Sequence, residues 1–392
     1  MSGKIMMVLM GLEIGGAETH VVELSRELHR QGYEIVVVSN GGVYERELTE
    51  AGIRCYHAPL HRRSVPLMLR SLRILRGIIR KEKPDVVHAH ARIPAFLCGI
   101  LHRQMGFPFV TSAHWVFYVN SSLRRLTDWG EYTIAVSDDI REYLKKNYGV
   151  ADERIRVTIN GIDTEKFSPG VSGERVLREF SLSPDRPTIS YVSRMDESRA
   201  LVARHLVEIA PRLREKIPGV QILIAGGGDV FDEINARAQA VNDAAGERFV
   251  VMTGARTDIN EIVAAGDVFV GVSRAALEAM AAEKPVVVAG NEGYIGLFDE
   301  SKLALAQESN FCCRGCPAPT PEQLCTDLLH AMCDMDASQR AALGRYGREV
   351  IGKYYSVARM ASDCEYAYNI VRAEHTRVLA SGYYGFRNLG DD

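Results

Sequence analysis

Short apolar runs alternate with helical periods along this chain, and the alternation occurs twice. Residues 6–10 are apolar, residues 11–16 hold three glycines, and Val21, Leu24 and Leu28 recur at helical spacing before Gly32. This predicts a strand, a glycine turn and a helix. Further β-branched runs follow at 35–38, 86–87, 109–111, 133–136 and 157–159, with a helical pattern between the first two. Strands alternating with helices predict a parallel sheet covered on both faces. Between Phe167 and Pro187 the pattern lapses into serine, proline and glycine, which predicts a linker around one short helix. The rhythm then restarts at 189–192, 221–225, 249–252, 268–270 and 286–288, a second parallel sheet. A helical stretch over 337–372, carrying Tyr354, Tyr355, Tyr366 and Tyr368, follows it. Two doubly wound halves present two rows of strand C-termini, where such sheets bind ligands.

Length agrees with two domains, since 392 residues exceed one ordinary core. An apolar fraction of 46%, a charged fraction of 25% and a net charge of -3 exclude a disordered chain and give no reason to expect nucleic acid as a partner. Only Lys4 precedes the short apolar run 5–10, which reads as a buried first strand rather than a signal peptide. Nowhere do 18 apolar residues run together, so the expected location is the cytoplasm and any membrane contact is peripheral. Eight cysteines are scattered apart from Cys312, Cys313, Cys316 and Cys325. Their spacing loosely suggests zinc, but a second Cys-x-x-Cys or a nearby His pair is missing, and small buried thiols are the expectation.

Several motifs in order carry a resemblance. They are Gly15-Gly16-Ala17-Glu18, Asp85-Val86-Val87-His88-Ala89-His90, Thr111-Ser112-Ala113-His114 and Asn160-Gly161-Ile162-Asp163 with Phe167. Ser193-Arg194-Met195-Asp196, Gly226-Gly227-Gly228 and Leu277-Glu278-Ala279-Met280-Ala281 follow. Nearly the whole chain to Arg372 resembles glycosyltransferase family 4. The resemblance implies a retaining enzyme with the α/β GT-B fold, two Rossmann-like doubly wound domains facing across a cleft. The expected boundaries are 1–170 for the N-terminal acceptor domain and 171–340 for the nucleotide-sugar donor domain. Helices at 341–372 would cross back to the first domain, leaving a tail at 373–392.

Residue by residue, the chemistry suits that reading. Glycines at 15 and 16 let a backbone approach phosphate at a helix N-terminus, although a plain tight turn uses them equally well. In the family the first arginine of a pair matching Arg194 and Arg199 neutralises the donor diphosphate together with a lysine, here Arg199. Guanidinium groups can take the place of a metal ion by stabilising charge on the leaving diphosphate, so no metal or other cofactor is expected. The family's ribose-binding glutamate matches Glu278, its sugar-contacting histidine matches His114, and its base-edge loop matches Gly254, Arg256 and Thr257. Gly227 lies in the matching glycine turn. One departure stands out. Where the family commonly has a second glutamate, eight positions before Glu278, this chain has Val270, which leaves Ser273 and Arg274 as polar candidates for the donor sugar. His88 and His90 alternate on one strand and share a face, a possible metal pair for which the sequence offers no evident third ligand.

Residues 62–83 carry eight basic residues and one acidic, Glu82, interleaved with Leu67, Leu69, Leu72, Leu75, Ile78 and Ile79. This pattern fits a helix that meets a membrane surface near a lipid-linked acceptor, and equally a core-facing helix with a solvated basic back. The segment 377–392 resembles the opening strand and glycine turn of polysaccharide pyruvyl transferases, as if a fused second enzyme followed. The expected activity is transfer of a hexose or N-acetylhexosamine from a UDP- or GDP-linked donor to a cell-surface polysaccharide or glycoconjugate acceptor. The competing expectation is a non-catalytic nucleotide-sugar-binding module of a pyruvyl transferase fusion. A nicotinamide-dependent dehydrogenase is disfavoured, because no tight Gly-x-Gly-x-x-Gly with a following acidic residue occurs.

Overall fold

The computed structural model describes residues 3–116, 119, 124 and 127–387, with side chains to 376. Its contacts divide the chain into two units, Met1–Gly161 with Val357–Asp392, and Ile162–Ser356. The first boundary thus falls before position 170, and the chain returns to the first unit at Val357 rather than at 341. The helix expected to start that return, Ala337–Val350, packs instead within the second unit.

The first unit is built on seven parallel strands, β1 (Lys4–Val8), β2 (Glu34–Ser39), β3 (Arg54–His57), β4 (Val86–His90), β5 (Phe109–Ala113), β6 (Tyr132–Ala135) and β7 (Ile155–Val157). Their order is β3-β2-β1-β4-β5-β6-β7. Alternate side chains of β1 enter opposite cores: Ile5 and Met7 pack on one face, Met6 and Val8 on the other. Both faces being covered explains why these strands read as unbroken apolar runs. On the first face lie α1 (Gly16–Arg30) and the terminal helix Val357–Arg387. That terminal helix contributes Val357, Met360, Ala361, Cys364, Ala367, Tyr368 and Val371, a stripe at i, i+3, i+4 spacing. The second face is covered by α2 (Val65–Glu82) and α3 (Arg92–Met105), through Leu75, Ile78, Ile79, Leu97 and Leu101.

The second unit repeats the plan with β8 (Thr188–Val192), β9 (Gln221–Ala225), β10 (Val250–Met252), β11 (Val268–Gly271), β12 (Val286–Gly290) and β13 (Gly293–Leu297). The order is β10-β9-β8-β11-β12-β13, with only β13 antiparallel. In each sheet the strand order reverses once, between β1 and β4 in the first and between β8 and β11 in the second. Connections on either side of such a switch point diverge to opposite faces, which opens a crevice at the strand C-termini.

One expectation from the sequence is corrected. The strand expected beyond 377 is not there: the terminal helix continues to Arg387, and residues 388–392 lie outside the described part. Once packing has nucleated a helix, each added residue gains a hydrogen bond, so an ambiguous apolar run extends it. Of the four neighbouring cysteines, two are buried, as the expectation of small buried thiols had it. Cys325 sits in the core on the helix Pro321–Leu329. Cys313 is buried, and desolvation with its neighbours Cys316 and Cys312 pushes its thiol up to about 12.

Candidate functional site

The C-terminal edge of each sheet collects the residues that carry chemistry. In the second unit, β8 ends at Val192 and its connection carries Arg194 and Arg199. This connection is laced to its neighbours by the backbone. Ser193 N donates to Ala225 O at 3.1 Å, Met195 N to Gly227 O at 2.9 Å, Val230 N to Met195 O at 2.9 Å, and Gly226 N to Gly254 O at 2.9 Å. The approach is possible only without side chains. A Cβ on Gly226, whose φ is +145°, would lie 1.7 Å from Ser193 O, and one on Gly228 would lie 2.5 Å from Met195 O. The triple glycine therefore shapes the loop that bears the arginines. Gly227 itself contributes a carbonyl to that lacing, and its amide is part of the same turn.

Arg194 is exposed. Arg199 is half-buried and paired with Asp196 at 2.9 Å, a partner the sequence reading overlooked. A hydrogen bond from Ser198, and then the charges of Arg199 and Arg194, hold the Asp196 carboxyl below its usual range. Both arginines lie on the connection that leaves the central strand β8, and Arg199 is ion-paired within it.

Across the switch point, β11 passes to α4 (Ser273–Ala281) through Val272 alone. Val270 is fully buried inside β11, paired with Tyr191 and Val287, so the position that the family commonly gives to glutamate faces the core here. Ser273 opens the helix with φ +55°, an uncommon conformation for a residue with a side chain, and its N–H donates to Phe311 O at 2.7 Å. One turn apart on this helix, Arg274 Nε donates to Glu278 Oε1 at 2.8 Å, and Glu278 is buried. The guanidinium is a charge-assisted partner that offsets the cost of burying this carboxylate.

Arg256 is held by acidic neighbours. Its Nε donates to Asp258 at 2.8 Å, its Nη1 to Glu179, and its Nη2 to Glu179 at 2.8 Å and Asp258 at 2.7 Å, while Phe180 lies under the guanidinium. All three guanidinium nitrogens take part in hydrogen bonds, which fixes the side chain against its own unit. Gly254, with φ +76°, supplies the turn.

In the first unit, three adjacent strands deliver three imidazoles. His20 lies one turn into α1 after β1, His90 ends β4, and His114 follows β5. His90 Nδ1 and His114 Nε2 are 3.1 Å apart. His20 and His114 meet edge to face, with ring centroids 4.7 Å apart. His88 shares the face of His90, as alternation on a strand requires, with centroids at 4.1 Å. However, His88 is saturated by Tyr368 Oη and Ser112 Oγ, each at 2.8 Å. His20 was missed by the sequence reading. The signal that could have found it is a polar stripe of His20, Glu23 and Glu27 on the face of α1 that is otherwise apolar and buried. Burial, reinforced by the neighbouring rings, holds His90 and His114 well below the usual histidine value, and brings His88 down to about 3. At neutral pH these rings are uncharged and present lone pairs.

Gly15 is the extended N-cap of α1, and neither it nor Gly16 has positive φ. Glu18 folds back over Gly15, where a Cβ would lie 2.2 Å from its carboxylate. That acid complements the positive helix end.

Comparisons with known proteins agree with this architecture. Residues 14–166 match the family described as Glycosyltransferase Family 4, and residues 186–308 match Glycosyl transferases group 1. EpsF of Bacillus subtilis (strain 168), named a glycosyltransferase, is 26% identical, with 73% of this chain and 78% of that protein covered. An Escherichia coli protein named UDP-Gal:alpha-D-GlcNAc-diphosphoundecaprenol alpha-1,3-galactosyltransferase is 26% identical, with 62% of this chain and 67% of that protein covered. A glycosyltransferase structure from Rickettsia africae ESF-5 superposes with a TM-score of 0.74 at 18% identity, covering 94% of this chain and 98% of that one. Anabaena Alr3699/HepE, solved in complex with UDP and glucose, gives a TM-score of 0.64 at 17% identity, covering 97% and 100%.

Proposed function

Because this chain belongs to the family 4 glycosyltransferases and has the GT-B fold, we propose that it is a retaining enzyme acting in assembly of a cell-surface polysaccharide or glycoconjugate. The observation that carries the donor half of this reading is the placement of Arg194 and Arg199 on the connection that leaves β8, beside the β8–β11 switch point. Guanidinium groups there stabilise the negative charge that grows on a departing nucleoside diphosphate, the role a divalent cation has in other transferases. Glu278 offers its carboxylate to the ribose hydroxyls, and the backbone around Gly254 offers its polar groups to the base. Ser273 and Arg274 stand where donor-sugar contacts are expected, Arg274 also fixing Glu278. His114, which matches the family's sugar-contacting histidine, has a neutral imidazole suited to that role. No enzymatic nucleophile is required. In same-face attack the leaving diphosphate oxygen takes the acceptor proton as the new glycosidic bond forms.

The acceptor half rests on α2. Val65 and Leu69 are 70% and 62% exposed, and Arg62, Arg63, Arg70 and Arg73 beside them are exposed as well. Apolar side chains flanked by arginines suit the anionic inner face of a membrane, where a lipid-linked acceptor would be met. The name of the Escherichia coli relative specifies such an acceptor, a sugar diphosphoundecaprenol. Among the described residues no helix is long and apolar enough to cross a membrane.

A thermal-shift screen against uridine, guanosine and adenosine diphosphate sugars, followed by turnover of the stabilising donor, tests the reading. Binding without transfer to any lipid-linked acceptor would instead favour a nucleotide-sugar-binding module. No stabilisation by any donor would sink both.

A further inference from the structure

Three imidazoles meet in the first unit. One nitrogen from each of His20, His90 and His114 lies within 4.8 Å of the other two, and no other group of three potential ligands occurs among the described residues. His20 Nδ1 donates to Asn160 Oδ1 at 3.0 Å, so its proton is on Nδ1 and its Nε2 carries a lone pair. His90 Nδ1 and His114 Nε2 share a single hydrogen bond at 3.1 Å. His90 is 1% exposed, and its Nε2 has no hydrogen-bond partner among the described residues. A buried polar atom left in that state is costly, and coordination would satisfy it.

We propose that His20, His90 and His114 form a three-histidine site for a first-row divalent cation, with Zn2+ the best fit. Imidazole nitrogens without carboxylates select zinc and its transition-metal neighbours over magnesium or calcium. Tetrahedral zinc, with Zn–N of about 2.0–2.1 Å, spaces its ligands about 3.4 Å apart, so ring movements of about 1 Å close the group around an ion. Asn160 holds the outer nitrogen of His20, the arrangement that orients histidine ligands elsewhere. His88 does not compete, because both its nitrogens are bonded to hydroxyls. The fourth position falls to water. If His114 serves the transfer reaction as proposed above, the cation withdraws it, and zinc is an inhibitor. Binding itself does not depend on that reading.

The test uses the full chain, stripped with chelator and titrated with Zn2+ against a chromogenic zinc indicator, then with Co2+ for its visible spectrum. The expected result is one Zn2+ per chain and a tetrahedral Co2+ spectrum with no thiolate charge-transfer band. His114→Ala should weaken Zn2+ by more than about 10-fold, and Asn160→Ala by about 10- to 100-fold, the range for loss of an outer-shell partner. Far-ultraviolet circular dichroism confirms that each variant is folded, and where one is not, the wild-type Co2+ spectrum decides. A thiolate band would assign the metal to the cysteines and overturn the proposal. So would unchanged affinity in folded His114→Ala, or no wild-type binding at micromolar Zn2+. Zinc that binds at the histidines without slowing transfer would leave the site intact and remove His114 from the reaction.

Discussion

Replacing Arg194 by alanine isolates the charge that we assign to the donor diphosphate. The side chain is exposed on the β8 connection and its removal strips no partner from a buried acid, so the fold should lose no more than about 0.5 kcal/mol. A charge-assisted hydrogen bond to phosphate contributes about 1.5–3 kcal/mol. At 1.4 kcal/mol per decade, the nucleoside diphosphate should bind about 10- to 150-fold more weakly. Arg199 is expected to show a smaller effect. It is already paired with Asp196 at 2.9 Å and must share itself between two anions. Asp196→Asn removes that competitor and should tighten diphosphate binding while leaving nucleoside binding alone. Calorimetry with the diphosphate and with the bare nucleoside measures both. Equal losses for the two ligands would mean that the mutation had disturbed the loop rather than removed a phosphate contact. Unchanged diphosphate affinity in both arginine variants would remove the pair from the site.

Chelation should leave transfer intact, because the arginines stand in for a cation at the diphosphate; loss with EDTA that magnesium or manganese restores would overturn the metal-free mechanism. Changing Arg70 and Arg73 to glutamine should weaken co-sedimentation with anionic vesicles by about 1 kcal/mol per residue, in a salt-sensitive way, without altering donor affinity. Identical sedimentation of mutant and wild type would reduce α2 to scaffold. Tyr368→Phe strands His88 Nδ1 in a buried site and should cost the first unit about 1–3 kcal/mol in urea unfolding, and a cost near zero would show that the bond matters little. In metal-free protein, His88 and His90 have folded values below the unfolded value of about 6.5, so the unfolded chain binds protons first. Stability should thus be level above about pH 7 and fall between pH 6.5 and 5.5, by up to about 1.4 kcal/mol for each ring. A flat profile over that window would show that the rings protonate without unfolding.

What the sequence determined by itself was whatever short-range pattern can encode. Runs such as Ile5–Val8 and Ile222–Ala225 are apolar on both faces, which requires a sheet with two covers, and helical periods between them require crossovers; both sheets were legible for that reason. The edge strands β3 and β13 escaped notice because Arg54-Cys55-Tyr56-His57 begins and ends on exposed polar residues and Gly293-Tyr294-Ile295-Gly296-Leu297 is interrupted by two glycines, so neither reads as a β-branched run. The continuation of the terminal helix to Arg387 escaped as well, since an apolar run near its end fits either period. Motif order located Arg194, Arg199, Glu278 and His114 along the chain. Their surroundings were a matter of tertiary structure. Asp196 beside Arg199, Glu179 and Asp258 around Arg256, and Val270 turned into the core all depend on how separate segments approach one another. The meeting of His20 with His90 and His114 is the clearest case. The three are far apart in sequence, and each side chain alone is ordinary. They become neighbours because β1, β4 and β5 lie side by side, an order that crossover topology sets and local periodicity does not contain.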